Sequence, residues 1–106
     1  MELLVNPRLI EEEILKDTYT GIMVLTIYNR NNMDKIIFRK LDELNLDYNV
    51  LDLMSLSKKT QTKLDPGIGC NLYIFSDGKI IKHIQEFKEF SNLDTIINNW
   101  LDRWVG

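Results

Sequence analysis

Alanine does not occur among these 106 residues, cysteine and histidine occur once each, and proline occurs twice. The missing alanine, beside abundant Asn, Ile, Lys and Leu, reads as a codon bias and carries no fold signal. A single cysteine, Cys70, cannot close an internal disulfide, which excludes a disulfide-stapled scaffold and fits a reducing compartment. Positive charge is also scarce: thirteen Lys and Arg face sixteen Asp and Glu, for a net charge of −3, and no stretch forms a phosphate-tracking stripe. No apolar run approaches the roughly 20 residues of a membrane span, and Glu2 stands where a secretory leader would carry positive charge. These absences predict a soluble, cytoplasmic or otherwise intracellular protein with neither nucleic acid nor membrane as a direct partner.

What is present reads as one domain over residues 1–106, large enough for a single core. Glu2, Leu3, Leu4 and Val5 form a short strand candidate. Asn6 and Pro7 then predict a helix start, because Asn caps and Pro at the first helical position loses no hydrogen bond. That helix runs to about Lys16, and its Glu11, Glu12 and Glu13 are expected to form a solvated face. Residues 21–28 are continuously apolar, as a strand covered on both faces requires.

From Met33 onward, Met33, Ile36, Ile37, Leu41 and Leu44 recur at helical spacing up to Asn45, a residue that tolerates the left-handed conformation of a helix stop. Residues 48–53 then supply a second buried strand, and the helix between makes the pair a parallel crossover unit. Ser55 or Ser57 can cap a short helix that Asp65, Pro66 and Gly67 stop. Residues 72–75 and 79–85 flank Asp77-Gly78, whose tolerance of positive φ predicts a tight hairpin. Ser91 to Asp94 resembles a capping box, and Leu93, Ile96, Ile97, Trp100, Leu101 and Trp104 after it share one face of a last helix, read as core. The expected order is β-α-β-α-β-α-β-β-α, an α/β mixed sheet with helices on both faces.

This order resembles thioredoxin across essentially the whole chain. Thioredoxins carry a stretch of the form VDFWAEWCGPCK between a strand and a helix that contains LDE. Val24-Leu25-Thr26-Ile27-Tyr28-Asn29-Arg30-Asn31-Asn32-Met33-Asp34-Lys35 aligns to that stretch without a gap, and Leu41-Asp42-Glu43 falls on LDE. The family's two thiols correspond to Asn31 and Asp34, and its buried acid to Leu25. Counting back from Gly78, Cys70 lands on the family's cis-proline position, where a non-proline residue is expected trans because cis costs about 3 kcal/mol. Glu86 replaces a groove-lining glycine. The middle of the chain, Leu41-Asp42-Glu43-Leu44-Asn45 followed by Asp47-Tyr48-Asn49-Val50, is similar to glutaredoxin.

The resemblance implies a thioredoxin fold from which the dithiol chemistry has been lost, since exchange needs an attacking thiolate and a second thiol to resolve it. It implies an interaction or assembly module whose partner is another protein, with a homodimer as one form of that. The contact edge it implies is Tyr28, Arg30, Asn31, Asn32, Met33, Gly69 and Cys70. The structural reading of Asn31 or Asn32 is a helix cap, and that of Cys70 a small apolar residue entering a buried strand. The alternative function is a monothiol redox or glutathione-linked protein acting through Cys70, with help from Arg30, Lys35 or a helix dipole. No cofactor or metal motif is present: His83 stands alone between Lys82 and Ile84 and is expected to be an exposed strand histidine.

Overall fold

Strand β1 (Gly21–Thr26) is the spine of the molecule: every residue after Gly21 is buried, so both of its faces are covered. In this computed structural model, which describes residues 1–27, 32–67, 71–85, 92, 95 and 99, β1 is preceded by α1 (Pro7–Leu15). It is followed by α2 (Asn32–Glu43), β2 (Tyr48–Asp52), a 3-10 turn at Leu53–Ser55, α3 (Lys58–Leu64), β3 (Asn71–Ser76) and β4 (Lys79–Ile84). The four strands form one mixed sheet in the order β2-β1-β3-β4, with β2 parallel to β1 and the other two pairs antiparallel.

Side chains alternate across this sheet and build two separate cores. Ile22, Val24, Leu72, Ile74 and Ile84 face one way, against Ile37, Phe38 and Leu41 of α2. Met23, Leu25, Leu51, Tyr73 and Phe75 face the other, against Ile10 and Ile14 of α1 and Leu64 of α3. The α/β mixed sheet with helices on both faces is therefore present.

Local signals placed the ends of the elements. The Asn6 side chain accepts from the Arg8 amide at 3.0 Å with Pro7 at the first helical position. The Ser57 hydroxyl accepts from the Thr60 amide at 3.3 Å, so Ser57 rather than Ser55 caps α3. Asn45 (φ 55°) and Asp65 (φ 45°) take up left-handed conformations after α2 and α3. Asp77 (φ 49°) and Gly78 (φ 80°) form the β3–β4 turn, and their paired positive φ angles suit the right-handed twist of the flanking strands. Gly78 is required twice over, because a Cβ there would sit 2.0 Å from the Asp17 carbonyl oxygen. Its amide donates to the Tyr19 carbonyl at 2.9 Å, pinning the hairpin tip to the α1–β1 connection.

Three expectations are corrected. The first strand shrinks to a single parallel bridge between Glu2 and Tyr48, with the Leu3 amide donating to the Tyr48 carbonyl at 2.8 Å. Leu4 is already 96% exposed, because the cap at Asn6 turns the chain off the sheet edge before more rungs can form.

Of the expected α2 stripe Ile37 and Leu41 are buried and Leu44 packs against the core, but Ile36 faces solvent at 44% exposure, and Asp34 and Phe38 join the inward side. Positions two apart on a helix point about 200° away from each other, so Ile36 and Phe38 cannot both face the core. Phe38 takes the place, stacked on Tyr48 with ring centroids 5.5 Å apart.

The described order is therefore α-β-α-β-α-β-β. The last helix falls largely outside the described residues; Thr95 and Asn99 are helical, and they and Asn92 are exposed, opposite the apolar stripe of the sequence.

Candidate functional site

The parallel β1–β2 pair and the antiparallel β1–β3 pair bring two sequence-distant points to one end of the sheet. Leu25, one residue before the end of β1, is the register partner of Asn71, the first residue of β3. From this end β1 leads toward α2, whose first turn carries Asn32, Met33 and Asp34.

Asp34 is 1% exposed, which is rare for a carboxylate, and it lies on the same stripe as Ile37, Phe38 and Leu41. Asn32 and Met33 open the helix at this point. Tyr28, Arg30, Asn31, Gly69 and Cys70 lie outside the described residues, as does Glu86.

At the neighbouring strand end Asn71 organises a polar cluster. Its fully buried side chain mimics a strand rung: Oδ1 accepts from the Gly67 amide at 2.9 Å while Nδ2 donates to the Gly67 carbonyl at 3.0 Å. That arrangement leaves Oδ1 facing Nε2 of His83 at 2.8 Å, and because Oδ1 can only accept, Nε2 carries the hydrogen.

His83 is not an exposed strand histidine. It is half-buried and stacked on Tyr73, its cross-strand register partner, at 4.1 Å and 16° between ring planes. The Tyr73 hydroxyl donates to the Leu64 carbonyl at 3.1 Å, and burial, reinforced by the charge of Asp65, pushes its pKa well above the ordinary tyrosine value. One connected set of contacts thus joins the end of α3, the start of β3 and the end of β4.

No family model, curated protein or solved structure matches the chain.

Two further polar arrangements lie on the α1–α3 side of the sheet. Glu11 departs from the expected solvated triplet: its carboxylate accepts from the Ser57 amide at 2.9 Å and the Thr60 hydroxyl at 2.6 Å, so α1 caps α3. The Thr60 hydrogen bond holds its pKa below the ordinary value despite the opposing effect of burial. Glu12 and Glu13 remain exposed. The Tyr19 hydroxyl donates to the Ile22 carbonyl at 3.1 Å and accepts from Asn49 Nδ2 at 2.8 Å; burial raises its pKa.

Among the described residues no cluster of three His, Cys, Asp or Glu is arranged to hold a metal ion, and no helix is long and apolar enough to cross a membrane. Sequence reasoning missed Asn71, His83, Glu11 and the Tyr19–Asn49 pair. The one available signal was Asn71 itself, a side chain able to hydrogen-bond local backbone placed directly after a glycine-rich turn.

Proposed function

We propose that the chain is a thioredoxin-fold protein without the dithiol active site, serving as an interaction or assembly module whose partner is another protein in a reducing, intracellular compartment. The observation that carries this reading is Asp34: where the family pattern puts the second thiol, a carboxylate is buried in the first turn of α2. A carboxylate can neither attack nor resolve a mixed disulfide. Residue 2 bridging β2, with β1 flanked by β2 and β3, agrees with the thioredoxin arrangement. The β1–β3 register also supports one edge, since the strand ends flanking the segments that hold Tyr28, Arg30, Asn31, Gly69 and Cys70 are neighbours. The alternative is a monothiol protein acting through Cys70, the one cysteine of the sequence, which directly precedes the first residue of β3.

Affinity purification of the full chain from its native source, with and without reductant, tests the reading. The expected result is a partner retained under both conditions and lost from R30E and M33D. Partners that survive both substitutions overturn the proposed edge. Partners released by reductant, with fast Cys70 alkylation in the native state, replace the module by the monothiol protein. Turnover in an insulin-reduction assay overturns the dithiol-free reading altogether.

A further inference from the structure

We draw no further inference here: the strongest candidate, the exposed apolar surface of Leu4, Val5 and Leu9 where the chain leaves the outer edge of β2 and enters α1, carries nothing because no feature of the structure shows what covers it.

Discussion

The two faces of the sheet are held by different means. On the α2 face the contacts are nearly all hydrocarbon: Ile22, Val24, Leu72, Ile74 and Ile84 meet Ile37, Phe38 and Leu41, with one stacked aromatic pair. On the α1–α3 face an equally buried core is tied through polar atoms, with the Tyr19 and Tyr73 hydroxyls on backbone carbonyls and Glu11 spanning two helices. Helix length accounts for the contrast. The 12 residues of α2 span more than three turns and can be fixed by apolar burial, whereas α1 and α3, with 9 and 7, are short of the roughly 12–15 that even good helix formers need alone. Short helices need caps and cross-links, and this face has both.

The largest test of that contrast removes apolar mass from the polar-tied face. Phe75→Ala, at a fully buried ring edge-on to Tyr19 at 5.1 Å, should lower stability by about 3–5 kcal/mol in urea unfolding. A loss below about 2 kcal/mol would mean that the polar ties, and not the hydrocarbon, hold this face.

Gly78→Ala comes next. A left-handed turn and a backbone oxygen 2.0 Å from the new Cβ should cost about 2 kcal/mol or more, read as a lower melting temperature. An unchanged melting temperature would detach the hairpin tip from the α1–β1 connection.

Glu11→Gln should cost about 1–2 kcal/mol, and its pH dependence is diagnostic. The folded pKa lies below the ordinary 4.5, so the unfolded chain binds the proton more readily. The contribution is therefore complete above about pH 4.5 and is lost as pH falls through the folded value. The gap between wild type and variant should be constant near neutrality and close in acid; a pH-independent gap would assign the effect to packing.

The smallest effect is expected from Tyr73→Phe, about 1 kcal/mol, since it orphans only the Leu64 carbonyl and keeps the ring on His83.

Local chemistry was legible from the residues alone. Caps at Asn6 and Ser57, stops at Asn45 and Asp65, the Asp77-Gly78 hairpin and the parallel crossover all depend on neighbours within one turn or on unbroken apolar runs. What was illegible involves partners far apart in sequence or a choice between near-equal registers. Glu11 finds its acceptor role 46 and 49 residues away, and Asn71 meets His83 across a hairpin. Ile36 and Phe38 offer α2 two competing stripes, and only the presence of Tyr48 across the core decides between them. For the expected contact edge the structure describes only the flanking strand ends, Leu25 and Asn71, as register partners, and Tyr28, Arg30, Asn31, Gly69 and Cys70 lie outside the described residues.

The register of β3 and β4 skips one residue: Ile74 faces Lys82 and Phe75 faces Ile80, so Ile81 bulges from the outer strand. The outcome concerns solubility in crowded solution. A straight strand arriving at that rim meets donors and acceptors out of step, and Lys79 and Lys82 on the same strand set a charge against its approach. A sheet so finished can display aliphatic residues at its border without seeding its own polymer.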